Sequence, residues 1–252
     1  MKKTFLSVCA VSFLAALYSC ADNAGTKPPP ANDSLQTSTA DTGKISGIPC
    51  DITIANIHFT KSINGADTLV TTDKNGKTTF TAGAKKDFFI DPNNQLSNNT
   101  APLLLAAVDN TKPFTLVAKV TPQFTTKGLY NAGVLYLYSD DALWQKHCFE
   151  QDERGKHRIV TVRTMGTSDD NNHDIVESPF VYMKISSDAK TVANYYSLDK
   201  KEWHMVRLYK NNYPAKLWVG ISTQCPVDTG TLSHFEDLSL DQNSVSDFRM
   251  GD

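Results

Sequence analysis

The sequence predicts an all-β protein with a two-sheet antiparallel β-sandwich, or jelly roll. From about residue 45, short runs rich in Val, Ile, Thr, Tyr and Phe alternate with clusters of Gly, Asn, Asp and Pro. Asn75-Gly76 lies between the runs TTDK and KTTF and is a strong hairpin-turn signal. No segment shows sustained helical periodicity. Many short strands over roughly 200 residues without an internal repeat are typical of a sandwich.

The strands follow from the same pattern of β-branched and aromatic runs. We predict them near residues 51–59, 67–72, 77–81, 103–108, 114–122, 132–139, 143–150, 157–165, 179–186, 190–197, 202–209, 215–222 and 233–240. Successive side chains of a strand point to opposite faces of the sheet. Several of these strands pair an apolar face with a face that carries aromatic and charged groups, so one sheet face is predicted to meet a ligand.

The N-terminus, MKKTFLSVCAVSFLAALYSC, resembles a bacterial lipoprotein signal. Two lysines precede an apolar run from Phe5 to Leu17, which is too short for a membrane-spanning helix and has the length of a signal h-region. The run ends in Leu-Tyr-Ser followed by Cys20, and this resembles the lipobox at which a peptidase cuts before a cysteine that carries lipid. We predict a signal peptide at residues 1–19 and lipidation of Cys20, with an ordinary cleaved signal as the alternative.

Residues 20–44 are predicted to form the lipidated cysteine and a flexible tether. The stretch is rich in Pro, Ser, Thr, Asn and Ala and has no large apolar cluster, so it cannot bury enough surface to fold. The consecutive prolines Pro28 to Pro30 favour an extended conformation. The tether would hold the sandwich, residues 45–252, at the bacterial cell envelope, in the periplasm or on the outer surface. The predicted membrane contact is through the lipid only.

Composition excludes several classes of function. The formal net charge is -2 and no basic stripe is present, so nucleic acid is not an expected partner. No cofactor motif and no metal-binding spacing is found, and the acidic stretch at 168–174 is expected to be a solvated loop. The sandwich contains three cysteines, Cys50, Cys148 and Cys225, and an odd number of three allows at most one disulfide. We interpret them as small buried hydrophobes, with one bridge as the alternative.

The strand at 143–150 carries the strongest candidate site. Trp144, Lys146 and Glu150 share one face of it. Lys146 and Glu150 lie roughly 13 Å apart along a strand, so each requires another partner or a ligand. An aromatic ring beside charged hydrogen-bonding groups is the chemistry of sugar recognition. The alternative is a buried Trp144 with a cross-strand Lys–Glu pair.

Three further residues are candidates for ligand contact. Tyr182, Lys184 and Tyr196 are predicted to extend the face that carries Trp144. Ordinary half-buried positions of a sheet are the alternative for these side chains.

In the run FTLVAKVTPQFTTKGLYNAGVLYLYSDDALWQKHCFE, a turn and a strand precede Trp144, Lys146 and, four residues later, Glu150. This order resembles the central signature of the DUF1349 family of the concanavalin A-like lectin/glucanase superfamily. KDFF at 86–89 and YYSLDKKEW at 195–203 resemble flanking motifs, and the resemblance covers about residues 50–241. Tyr130, Asp170 and Lys200 replace an acidic, a tryptophan and a glycine residue of the family pattern. The resemblance implies a concanavalin A-like sandwich.

Together these features predict non-catalytic binding of a glycan or another small polar ligand. A glycoside hydrolase acting on a polysaccharide is the enzyme alternative, with Glu150 as acid/base or nucleophile and Glu177 or Glu202 as possible second carboxylates. Retaining glycosidases need two carboxylates about 5–5.5 Å apart, and no motif supplies such a pair. A protein-interaction or structural module is the third alternative. The oligomeric state is left open.

Overall fold

The computed structural model describes residues 47–252. The predicted signal peptide at 1–19, the lipidation site Cys20 and the tether at 20–44 lie outside the described residues. Within 47–252, no helix has the length and apolar content needed to cross a membrane.

The described chain is built from β-strands and one short 3-10 helix, Ala66–Thr68. The strands are β1 (Ile48–Ile54), β2 (Ile57–Ile63), β3 (Val70–Thr72), β4 (Thr78–Gly83), β5 (Phe88–Ile90), β6 (Ser97–Asn99), β7 (Leu103–Asp109), β8 (Phe114–Pro122), β9 (Ala132–Asp140), β10 (Leu143–Gln151), β11 (His157–Met165), β12 (Thr167–Ile175), β13 (Val181–Ser187), β14 (Thr191–Ser197), β15 (His204–Lys210), β16 (Lys216–Gln224) and β17 (Gly230–Asp241).

The predicted two-sheet antiparallel sandwich is confirmed. Sheet A has the strand order β1-β2-β7-β16-β9-β10-β11-β12, and sheet B has the order β15-β14-β13-β8-β17-β4-β3. Neighbouring strands pair antiparallel, as between β10 and both β9 and β11. The strands β5 and β6 form a separate hairpin.

Two apolar clusters stabilise this arrangement. The larger lies between the sheets and contains Phe59, Phe114, Leu135, Phe149 and Phe235, among others. The second cluster lies on the other face of sheet A, which we call the outer face of the sheet. This placement follows from the strands, along which residues of the second cluster alternate with residues of the first. This second cluster contains Phe88, Leu105, Tyr136, Tyr138, Trp144 and Cys148, among others. Phe88 belongs to β5, so the β5–β6 hairpin covers part of the outer face.

One predicted strand, 51–59, is in fact two. The chain reverses at Ala55-Asn56 and pairs Ile54 with Ile57. Ala55 takes a positive φ of 52° at this turn. A turn without glycine or proline gives little signal in the sequence, because those residues mark most tight turns.

The acidic stretch at 168–174 is a strand and not the expected solvated loop. It forms most of β12, which pairs with β11 across a turn at Gly166 (φ 80°). Asp and Asn have low strand propensity, which is why the pattern was misleading. β12 is an edge strand, and charged side chains on an edge oppose pairing with other chains. Among the described residues, no group of three or more His, Cys, Asp and Glu side chains could hold a metal ion.

The three cysteines of the sandwich are free. Cys148 and Cys225 are buried and Cys50 is half-buried. Their placement agrees with the interpretation as small hydrophobes and leaves no bridge among them.

Candidate functional site

Lys146 is a buried charge near the middle of β10, on the outer face of sheet A. Its side chain is 3% exposed, and its Nζ lies 2.9 Å from Oδ1 of Asp87. The same ammonium donates a hydrogen bond of 3.0 Å to Oε1 of Gln224. Asp87 immediately precedes β5, so the hairpin that covers the face also supplies the counter-ion. A charge buried this deeply requires such partners.

Gln224 joins Lys146 to Glu150. Its Nε2 donates to Oε2 of Glu150 at 2.9 Å and to the carbonyl oxygen of Tyr130 at 2.9 Å. The register of β16, β9 and β10 aligns Gln224 with Ala132 and Glu150, which places the amide beside the carboxyl. Lys146 and Glu150 were expected to need further partners, and Gln224 is the partner that they share.

Burial raises the pKa of Glu150 to about 8. Lys146 opposes this shift, and the nearby carboxylates of Asp170 and Asp87 add to it. Burial is the largest single influence on the pKa of Lys146 and lowers it, but Asp87, Cys148 and Glu150 together outweigh burial, and the net direction is upward. At neutral pH the site therefore combines an ammonium with a mostly protonated carboxyl, which can donate as well as accept a hydrogen bond.

The Tyr136 hydroxyl is buried in the same face. Tyr136 pairs with Lys146 across β9 and β10, and its hydroxyl has no hydrogen-bond partner among the described residues. Burial raises its pKa well above the usual range, with smaller contributions from Cys148, Asp87 and Glu150. A buried hydroxyl without a protein partner usually has a water or ligand partner.

Tyr130 is the exposed aromatic side chain beside this network. It is 39% exposed and has a positive φ of 64°. Its N–H donates to the carbonyl oxygen of Gln151 at 2.7 Å, so both its backbone polar groups are held by the site's own strands. Burial raises the pKa of its phenol, and the carboxylates of Glu153, Glu150 and Asp170 raise it further. The phenol is therefore within electrostatic range of the Glu150 carboxyl.

Trp144 shares this face but is fully buried, at 0% exposure. Its ring meets Phe88 edge to face, with centroids 5.7 Å apart, and its Nε1 donates to the carbonyl oxygen of Asp141. A sugar ring cannot stack on an indole that is covered in this way. The expectation of an open aromatic platform at Trp144 is therefore corrected: the residue belongs to the second apolar cluster.

Tyr182, Lys184 and Tyr196 do not extend this face, because they lie in sheet B. Lys184 donates to the carbonyl oxygen of Gly251 at 2.6 Å and lies 3.7 Å from the ring centroid of Trp203. Tyr196 belongs to the cluster between the sheets. Alternation within one strand assigns relative faces only, and long-range pairing decides which sheet a strand joins.

The structure adds Asp87, Gln224, Tyr130, Tyr136 and Asp170 to the candidate site. The sequence indicated Asp87, since this residue lies in the KDFF motif of the family resemblance. Nothing in the sequence indicated Gln224, because a polar residue at the end of a strand is common and its contact with Glu150 spans 74 positions.

The raised pKa of Glu150 predicts a pH-dependent stability. The carboxyl has a reference pKa of 4.5 and a folded value of about 8, so the folded state binds more protons between these values. The stabilisation is complete below pH 4.5 and is lost as the pH rises through 8. We expect Glu150→Gln to remove this loss and to be more stable than the wild type at about pH 8.5, by on the order of 1–4 kcal/mol.

Thermal unfolding between pH 5 and pH 8.5 measures this effect, with Glu202→Gln at an exposed site as the matched control. The control should keep the wild-type pH dependence. If the melting temperature of Glu150→Gln depended on pH as that of the wild type does, burial would not raise the pKa of Glu150.

The chain resembles known proteins in sequence pattern and in fold. No curated protein matches it significantly. A functionally unknown protein from Saccharomyces cerevisiae has a TM-score of 0.65 at 21% identity, over 73% of this chain and 97% of that one. Bacteroides ovatus Xyloglucan PUL GH43B has a TM-score of 0.56 at 12% identity, over 79% of this chain. A bifunctional GH43-CE protein of Bacteroides eggerthii has a TM-score of 0.54 at 15% identity, over 71% of this chain.

The matched regions are 38% and 23% of these two GH43 proteins, so this chain corresponds to a part of each. At these identities the likeness concerns the fold, which is the two-sheet antiparallel β-sandwich that the sequence predicts. The sequence profile of the family described as "Protein of unknown function (DUF1349)" matches residues 66–243, which include every strand from β3 to β17. The chain belongs to the DUF1349 family.

Proposed function

We propose that the protein is a lipid-anchored protein of the bacterial cell envelope whose sandwich binds a carbohydrate without cleaving it. The proposed site is the outer face of sheet A around Lys146, Gln224 and Glu150. The observation that carries the proposal is the buried hydrogen-bonded chain that joins these three side chains beside the exposed ring of Tyr130. An aromatic surface next to fixed donors and acceptors suits a ligand with an apolar ring face and several hydroxyls.

Tyr130 takes the role that the sequence suggested for Trp144. Its ring offers a stacking surface, and the neighbouring carboxyl of Glu150, a residue that is 7% exposed, offers hydrogen bonds to sugar hydroxyls. Both sides of its backbone are held, so little conformational entropy is lost when a ligand binds.

A glycan-array screen of residues 45–252, followed by titration of the best ligand, tests the proposal. Tyr130→Ala should weaken binding by on the order of 1–3 kcal/mol, by analogy with base–aromatic stacking. Tyr182→Ala, which removes a tyrosine from sheet B, is the matched control and should bind like the wild type. Equal affinities of Tyr130→Ala and the wild type for that glycan would contradict this site.

The raised pKa of Glu150 also favours a second candidate, a glycoside hydrolase in which Glu150 is the general acid. Asp87 is held by Lys146 and Asp152 by Arg158, so Asp170 is the remaining one of the three carboxylates that raise the pKa of Glu150. The Glu150 carboxyl would protonate the leaving oxygen while a second carboxylate serves as base or nucleophile. Product analysis separates the two candidates: cleavage of a bound glycan that stops in Glu150→Gln would establish the enzyme.

The lipid anchor is tested independently of the sandwich. Expression of the full chain in a bacterial host should give a membrane-bound protein that takes up labelled fatty acid, because the segment before Cys20 resembles a lipobox. Cys20→Ala should abolish the label, whereas Cys9→Ala should not prevent it. Equal labelling of the wild type and Cys20→Ala would contradict lipidation at this residue.

A further inference from the structure

A second group of side chains lies on the outer face of sheet A, at the opposite end of β16 from Gln224. Trp218 is half-exposed there, and Nζ of Lys61 lies 5.1 Å from its ring centroid. Nζ of Lys216 lies 5.6 Å from the same ring. Trp218 and Gln224 are separated by six residues of one strand, or roughly 20 Å. One ligand residue at Glu150 therefore does not reach this group.

Lys61 and Lys216 approach the same indole ring, and their positive charges act on each other. The pKa of Lys61 is lowered by burial first and by Lys216 second, with Asp141 acting in the opposite direction. Asp141 also accepts a hydrogen bond of 2.6 Å from the Tyr138 hydroxyl, and Lys61 lies 5.5 Å from that tyrosine's ring centroid. Asp141 offsets part of the positive charge of Lys61, and an anion between Lys61 and Lys216 would reduce the repulsion that remains between the two ammonium groups.

We propose that Trp218, Lys61 and Lys216 form a binding site for an acidic sugar, with its carboxylate between the two ammonium groups and its ring against the indole. A neutral sugar could stack on the indole of Trp218 but would gain nothing from the two ammonium groups. A simple inorganic anion could use the charges but not the indole. The combination selects a uronic acid residue. The site does not depend on the proposed function of the Glu150 network.

Calorimetric titration of residues 21–252 with tetragalacturonate and with the neutral galactotetraose tests this site. The acidic tetramer should bind at least tenfold more tightly, and its affinity should fall as salt is raised. Lys61→Gln and Lys216→Gln should each weaken binding several-fold, and Trp218→Ala at least tenfold. Lys74→Gln, at an exposed position of the β3–β4 turn, is the matched control and should bind like the wild type.

Thermal unfolding of each variant separates lost binding from lost folding, which matters most for Lys61 because its side chain is half-buried, whereas Lys216 is exposed. Tyr130→Ala should keep full affinity for tetragalacturonate, which separates this site from the one at Glu150. Equal affinity for the two tetramers, or unchanged binding in the double variant Lys61→Gln/Lys216→Gln, would overturn the proposal. Lysine-dependent binding to phosphatidylglycerol vesicles without binding of the acidic tetramer would also overturn it, in favour of a membrane surface.

Discussion

Asp87→Asn should destabilise the sandwich by about 3–5 kcal/mol, because it leaves a buried ammonium without its carboxylate. The Lys146 side chain is 3% exposed and that of Asp87 is 15% exposed, with 2.9 Å between Nζ and Oδ1. Gln224 would remain as a neutral acceptor, and it stands between Lys146 and Glu150, so the Glu150 carboxyl does not take the place of Asp87 against the ammonium. At about 2–4 °C per kcal/mol for a domain of this size, the melting temperature should fall by roughly 6–20 °C.

Asp237→Asn is the matched control for Asp87→Asn. Asp237 pairs with Lys200 at 3.5 Å, but both side chains are about half exposed, at 50% and 48%. An exposed pair contributes about 0–1 kcal/mol, so this variant should melt close to the wild type. Similar melting temperatures of Asp87→Asn and Asp237→Asn would show that the Lys146 ammonium is solvated, and the proposed buried network would then be wrong.

Trp144→Ala should cost about 3–5 kcal/mol of stability, because it removes a fully buried ring from the second apolar cluster. Phe88, in the hairpin that follows Asp87, would lose one of its three edge-to-face partners, while Tyr136 and Tyr138 would remain. Denaturant unfolding of Trp144→Ala measures this effect. Trp218→Ala, which removes a half-exposed indole of the same face, is the control and should lose much less stability.

A folded, fully stable Trp144→Ala protein that had lost glycan binding would contradict the buried role. It would restore the open aromatic platform that the alternation of β10 suggested.

Much of the fold could be predicted because local pattern and long-range structure agree there. The runs that became β8 to β11 are long, rich in β-branched and aromatic residues, and bounded by turn residues. The β5–β6 hairpin and β12 could not be predicted in this way. Each strand of the hairpin has only three residues, and β12 consists mostly of Asp, Asn and Ser. Their pairing comes from neighbouring strands and not from their own propensity.

The candidate site, like the fold, could be predicted only in part. Strand parity placed Lys146 and Glu150 on one face, and their separation indicated that each needs another partner. The identity of those partners depends on contacts across 59 positions, to Asp87, and 78 positions, to Gln224. The burial of Trp144 depends on the hairpin that the sequence did not reveal, which is why its open platform was a reasonable but wrong expectation.

A crystal structure of residues 45–252 with the tightest glycan from the array is the sharpest test of the proposed glycan site. We expect an intact glycan on the outer face of sheet A, with one sugar ring against Tyr130 and its hydroxyls hydrogen-bonded to Glu150. A cleaved product in that position would contradict the non-catalytic claim. A glycan bound to sheet B, with the Lys146–Gln224–Glu150 network unoccupied, would contradict the site itself.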